Sequence, residues 1–320
     1  MAQHVTSTDV LLRPNLNTFR RCYGVEINHR RGTDPAVRIH YTIDAGISSR
    51  YGDQKASERT LCLNRHQVYI NNEMPHLPAD MLADVLGRTL YPLEIELTDN
   101  HALFKLSNQE KIVQRYHAIA RDLSAYYDSK LGRAALDAFG KNISNPARMR
   151  AALRSDWFIY LVFGGILYCQ YVKGYLPDGL FMLPVIPYRP PVAFTGGLSL
   201  EQSADDEMNG VLRVKLDAAC TDPRNWKDAW KGKIVPQGDA NNPMTGHAQF
   251  TFLLSQYDRT IVVAEGGVDL AGNDQHYASR IGIYDLHPVL HKRTTARTGV
   301  ELLEAKELSN KSFFQKFFAL

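Results

Sequence analysis

The pattern of hydrophobicity divides this chain into one helical stretch and two flanking parts that are rich in strands. From Ser107 to about Tyr171, apolar residues recur at steps of three and four, which is the period of an amphipathic helix. Before and after that stretch, short runs alternate apolar and polar residues, as half-buried strands do. The pattern predicts the α+β class, with antiparallel strands from the N- and C-terminal thirds packed around a central helical segment. One curved sheet and two sheets both fit it.

No linker, repeat or low-complexity tract divides the 320 residues, and a chain of this length can bury a substantial core. We therefore expect a single compact α+β unit over residues 1–320. Its first part, residues 1–106, is β-rich with one short helix. The central helices follow in residues 107–172. Residues 173–320 hold a proline-rich crossing segment, a β-meander and a Phe-rich C-terminal helix.

The central stretch carries its own start and burial signals. Ser107 and Glu110 have the spacing of a capping box, which predicts a helix start. The run Trp157 to Cys169 is apolar all round, which predicts burial on every side. With 13 residues it is shorter than the roughly 18 to 20 residues that cross a bilayer, so we expect no membrane span.

Glycines and prolines punctuate the predicted strands. Gly196-Gly197 and Gly266-Gly267 belong to no phosphate-binding motif, and we expect turns or bulges there. Tyr175 to Pro191 holds five prolines, which predicts an apolar crossing segment instead of a regular central strand. A change of apolar parity predicts a bulge at Asn64 to His66.

Charge and composition exclude several classes of protein. Lys plus Arg number 37 and Asp plus Glu number 34, and a net charge of +3 does not suggest a nucleic-acid-binding or anionic-membrane protein. The four cysteines form no Cys-x-x-Cys pair, so no zinc knuckle or redox motif is present. The first fifteen residues lack the basic start and apolar run of a secretory signal. We expect a cytoplasmic protein that carries no cofactor.

Catalytic and metal-binding signals are sparse. No G-x-S-x-G elbow occurs. Five carboxylates lie on or near predicted strands, where a solvated strand face is the common explanation and an acid–base pair the alternative: Asp44, Asp53, Glu58, Glu94 and Glu96. The metal candidates are Asp285, His287 and His291, with His276 nearby, because two histidines four apart on a helix share a face. Pro288 lies between them and favours a polar strand end instead.

Two aromatic clusters are candidate binding elements. Trp226 and Trp230 have helical spacing, which is typical of a helical turn anchored to the core; the alternative is stacking on a sugar or base. The last residues hold four phenylalanines with helical spacing: Phe313, Phe314, Phe317 and Phe318. They dock either on the protein's own body or in the groove of a partner.

The leading functional hypothesis is a non-enzymatic, soluble binding or assembly protein that acts through protein–protein contacts or self-association of the Phe-rich segment. One alternative is a carrier of an apolar ligand held between the sheet and the central helices, which requires a cavity beside Trp157 to Cys169. Another is a hydrolase-like enzyme whose residues converge only in space, which requires titratable groups with perturbed pKa in one cleft.

Overall fold

The computed structural model describes residues 9–16, 19–49, 59–97, 103–187, 189–201, 210–236, 243–272 and 275–288. The strands are β1 (Val10–Leu11), β2 (Arg20–Arg31), β3 (Val37–Ser49), β4 (Arg59–Ile70), β5 (Leu93–Leu97), β6 (Leu103–Leu106), β7 (Gln170–Tyr171), β8 (Tyr175–Leu183), β9 (Val192–Glu201), β10 (Val211–Cys220), β11 (Thr245–Ser255), β12 (Ile261–Gly272) and β13 (Gln275–Asp285). The helices are α1 (Pro78–Arg88), α2 (Gln109–Tyr126), α3 (Lys130–Ile143), α4 (Pro146–Arg154), α5 (Trp157–Phe163) and α6 (Trp226–Trp230).

One antiparallel sheet dominates the molecule. Its 11 strands run in the order β6-β5-β4-β3-β2-β13-β12-β11-β10-β9-β8, and β1 pairs with β7 in a separate two-stranded sheet. Each end of the chain supplies a meander, and the two meanders join where β2 pairs with β13. The prediction of an α+β fold with strands from both thirds is confirmed, and one large sheet is the arrangement adopted.

The sheet has an apolar inner face and a polar outer face, because side chains alternate along each strand. One buried row crosses five strands of the inner face: Val214, Phe252, Ala264, Ile283 and Val25. Helix α5 packs on this face. The Trp157 ring lies 5.8 Å from that of Phe250, and the Phe158 ring lies 5.5 Å from that of Tyr23. The expected burial of this run is therefore observed over α5.

The central stretch consists of separate short helices, and helix α5 ends at Phe163, well before Tyr171. The predicted capping box is wrong. Helix α2 has Asn108 at its N-cap without a side-chain cap bond, because the Ser107 hydroxyl donates to the Glu94 carbonyl oxygen of β5 instead. Asn145 does cap α4, accepting from the N–H groups of Ala147 and Arg148.

The glycine pairs are not turns, and that expectation is corrected. Gly196-Gly197 lies inside β9 and Gly266-Gly267 lies inside β12. A Cβ on Gly196 would collide with the Asp217 carbonyl oxygen, and one on Gly266 would collide with the Gln249 carbonyl oxygen. Adjacent strands approach so closely that only glycine fits at these two positions.

The proline-rich segment also differs from its expectation, because Tyr175–Leu183 forms strand β8. It is an edge strand, where a missing N–H costs no ladder bond on the open side. The register shifts between Leu176 and Gly179, around Pro177. The bulge predicted near His66 is confirmed: Tyr41 pairs with Val68 and Ile43 pairs with Arg65, so β4 carries the extra residue.

Candidate functional site

A groove on the outer face of the sheet has a volume of about 770 Å³. We call it the outer groove. It extends over strands β9 to β13 and β2, on the side of the sheet opposite to the buried row. Its lining is Glu26, Asn28, Ser199, Lys215, Leu216, Asp217, His247, Gln249, Phe250, Thr251, Glu265, Gly266, Gly267, Asp269, Arg280, Ile281, Gly282 and Tyr284.

Strand register places four of these residues in one line across the groove. Thr251 of β11 pairs with Glu265 of β12, Glu265 pairs with Gly282 of β13, and Gly282 pairs with Glu26 of β2. We call Thr251, Glu265, Gly282 and Glu26 the groove row. The two glutamates therefore stand on the same face, on either side of a strand that has no side chain at that point.

Tyr284 covers the gap between the two glutamates. A Cβ on Gly282 would meet its ring, with Cε2 at 2.8 Å and Cζ at 2.9 Å, so the phenol end of the ring lies over Gly282. Gly282 is required here because any side chain would displace the ring. The Tyr175 ring lies over Gly197 in the same way, with Cε2 and Cζ at 2.8 Å. The floor of the outer groove is thus partly an aromatic surface.

Most charged side chains of the outer groove are paired with one another. Lys215 contacts Glu201 at 2.9 Å, His247 contacts Asp217 at 2.8 Å, and Arg280 contacts Asp269 at 2.8 Å. Glu26 accepts from Arg38 at 2.7 Å and from Asn28 at 2.8 Å. Exposed pairs of this kind add little stability, but they give both cations of the groove lining, Lys215 and Arg280, a carboxylate partner.

Glu265 differs from these residues. The residue is exposed, within the described part of the chain its carboxylate forms no ion pair or hydrogen bond, and partial desolvation raises its pKa. Burial, together with the charges of Glu265 and Glu26, also raises the pKa of the Tyr284 phenol to about 12. Tyr284 is therefore a neutral hydrogen-bond donor at ordinary pH, and Glu265 is an acceptor with capacity to spare.

The predicted metal candidates do not converge in the described residues. Asp285 binds the Arg21 guanidinium and accepts the backbone N–H of His287. Arg21 also donates to Asp258 at 2.7 Å. No group of three metal-binding side chains occurs among the residues that the structure covers. His291 lies outside them, so the site at Asp285, His287 and His291 stays a prediction.

The two tryptophans form a packed cluster at one end of the sheet. The Trp226 and Trp230 rings stack with centroids 5.5 Å apart, and Trp226 is 5 % exposed. The Arg31 guanidinium lies 4.4 Å from the Trp230 ring centroid. Both rings therefore have stacking partners within the chain, as expected for a helical turn anchored to the core. Stacking of a ligand on them stays a prediction.

The remaining sequence candidates that the structure describes lie apart from the outer groove. Asp44 contacts His66, Glu94 contacts Lys111 and Glu96 contacts Lys105, which agrees with a solvated strand face. Asp53 and Glu58 lie outside the described residues, as do Phe313, Phe314, Phe317 and Phe318. The sequence analysis did not single out Glu26, Glu265 or Tyr284. The sequence signal for these residues was that each occupies an outward-facing position of a predicted strand.

A small cavity lies on the inner face beside α5, among the described residues. The cavity there measures about 10 Å³, which is room for about one water molecule. It lies against Leu16, Phe163, Tyr168 and Ile261. Among the described residues, no helix is both long and apolar enough to cross a membrane.

Comparison with known proteins assigns no family. No family model matches the chain, and no curated protein matches it. A similar solved structure is described as "Lipid-protein interactions in lipovitellin"; it is 8 % identical, with a TM-score of 0.39. The alignment covers 88 % of this chain and 26 % of that one, so this chain spans about a quarter of that protein's length. The outer groove has to be interpreted from its own residues.

Proposed function

We propose that this protein is a non-enzymatic binding protein that holds a polar, uncharged ligand in the outer groove. The observation that carries the proposal is the groove itself, whose volume of about 770 Å³ lies in the range of ligand sites. Its walls are hydrogen-bonding side chains on a rigid sheet. A site built on paired strands keeps its geometry better than one built on loops.

The pairing of charges favours an uncharged ligand. An anion such as a phosphate would have to draw Lys215 from Glu201 or Arg280 from Asp269. A nucleic acid needs a continuous basic track, and the outer groove offers none among its described residues. A neutral ligand with hydroxyl or amide groups can bond to these side chains without separating any pair.

The strands of the outer groove also limit how a protein partner could bind. Strands β9 to β13 and β2 are each hydrogen-bonded to a neighbour on both sides. A peptide therefore finds no open backbone edge there, which strand addition requires. Ligand recognition in the groove depends on side chains. Contact with a partner protein remains assigned to the Phe-rich segment as a prediction.

A hydrolase-like activity is the second candidate, because Glu265 has a raised pKa and shares the groove row with Glu26. The apolar-ligand carrier has less support, since the space beside α5 measures about 10 Å³. If the intact protein hydrolyses a bound ligand and the Glu265→Gln variant does not, the hydrolase-like function replaces the non-enzymatic one.

Blocking the outer groove tests the proposal. Thr251→Trp places a large side chain in the groove row, while Thr195→Trp makes the same change on β9 outside the groove lining. Panels of soluble oligosaccharides and of peptides are screened against the intact protein. We expect Thr251→Trp to abolish binding and Thr195→Trp to retain it. Equal binding by both variants would overturn the proposal.

A further inference from the structure

We propose that the ligand of the outer groove is a carbohydrate, one ring of which stacks on Tyr284 between Glu265 and Glu26. The inference rests on the proposed function and names its ligand class. The juxtaposition that carries it is an aromatic ring laid over Gly282, with a carboxylate on the neighbouring strand on each side, all on one face of the sheet.

A sugar ring presents two kinds of surface. Its axial C–H groups form an apolar face, and its equatorial hydroxyls form a rim that both donates and accepts hydrogen bonds. Such a ligand needs a flat apolar platform with planar polar groups around it. A tyrosine ring supplies such a platform through its face.

The geometry of Tyr284 fits that requirement. The ring is held down because Gly282 has no side chain, and it is half-buried. Glu265 and Glu26 stand one strand away on either side, so their backbones are about 10 Å apart at the usual strand spacing. That distance accommodates one ring-sized group with a hydrogen bond of about 2.8 Å at each end.

The two glutamates are suited to different hydroxyls. Glu26 is held in position by Arg38 and Asn28, which fixes the direction of its remaining acceptor sites. Glu265 has no partner among the described residues and can accept from two hydroxyls at once. Gln249 and Arg280 belong to the neighbouring line of the same face, where Gln249 donates to Asp217 and Arg280 donates to Asp269.

The pairing of the charged side chains supports the same class. A carbohydrate carries many hydroxyls and no charge, so it bonds to the paired groups of the outer groove without disrupting them. A peptide is the competing occupant. It would bring its own backbone amides, whose partners are absent here because the strands lining the groove are paired on both sides.

The test uses the full chain and soluble hexasaccharides of glucose, xylose, mannose and N-acetylglucosamine, followed by calorimetry with the best of them. Tyr284→Phe keeps the platform, and we expect its affinity to stay within about threefold of the parent. Tyr284→Ala removes the platform and should weaken binding about tenfold. Glu265→Gln should also weaken it about tenfold, because a charged acceptor is lost.

Tyr69→Ala is the matched control, because Tyr69 lies on the same outer face but stacks on His40 away from the groove lining. We expect no change in affinity, and thermal unfolding checks that each variant is folded. The inference would be overturned if Tyr284→Ala bound the saccharide with the affinity of the parent. The inference would also be overturned if the protein bound a peptide and no saccharide, and if Thr251→Trp blocked that peptide. The proposed function would still stand in that case. If Thr251→Trp weakens the binding of no ligand, both the inference and the proposed function are wrong.

Discussion

His29 makes the stability of the sheet depend on pH in a predictable way. Its ring Nδ1 lies 2.7 Å from the Tyr277 hydroxyl, across the junction of β2 and β13. Burial lowers the pKa of His29 to about 4. In the unfolded chain the same ring titrates near about 6.5. The unfolded state therefore takes up the proton first, and acid favours unfolding.

The magnitude follows from these two pKa values. Above about pH 6.5 the neutral ring costs nothing, because both states are deprotonated. As the pH falls toward 4, the free energy of unfolding drops by about 1.4 kcal/mol for each pH unit. The total is about 3 kcal/mol at pH 4, a large share of the 5–15 kcal/mol by which domains are typically stable.

Urea unfolding followed by tryptophan fluorescence, at pH values from 7.5 to 4, measures the effect in the parent and in His29→Gln. Glutamine can accept from the Tyr277 hydroxyl and does not titrate. We expect the stability difference between the two proteins to change by about 3 kcal/mol over this range. His117→Gln, on the exposed face of α2, is the matched control. Parallel pH curves for parent and His29→Gln would refute the reasoning.

Two further predictions concern the buried ion cluster and the Phe-rich segment. Arg21→Met leaves Asp285, whose side chain is 1 % exposed, without its cation, and we expect a loss of about 3–5 kcal/mol in urea unfolding; Arg20→Met, on the exposed end of the same strand, should change little. Deleting residues 313–320 should leave the fold intact and remove self-association or partner capture in mass measurements and pull-downs. A truncated chain that unfolds, from a parent that is monomeric and without partners, would show instead that the segment belongs to the core.

The strands were predictable because the alternation of apolar and polar residues that marks a strand extends over only a few neighbouring positions. Alternation over a few residues indicated strands in both the N- and C-terminal thirds, and the parity change in β4 located its bulge. The Ser107 capping box failed because a nearby backbone acceptor, the Glu94 carbonyl, took the hydroxyl. The prediction of turns at the glycine pairs was wrong for a similar reason. The glycines allow a neighbouring strand to approach closely, and that strand is distant in sequence.

The outer groove was not predictable from local patterns. Glu26 belongs to the second strand of the chain, whereas Glu265, Gly282 and Tyr284 belong to the last two. Only the register of β13 against β2 brings them into one row. Each residue alone resembles an ordinary polar position on a solvated strand. Their common function depends on pairing between strands that are far apart in sequence, and no periodicity encodes that pairing.

The junction of β2 and β13 has a consequence for synthesis on the ribosome. Arg21 and Asp285 are 264 positions apart, so at about 5–20 residues per second β2 emerges roughly 13–50 s before its neighbour. During that time β3 can cover one edge of β2 while the other stays open. An open edge invites pairing with other chains, and positive charge discourages it. Strand β2 begins with Arg20 and Arg21 and ends with Arg30 and Arg31. While β2 waits for β13, these arginines place positive charge at both ends of its open edge.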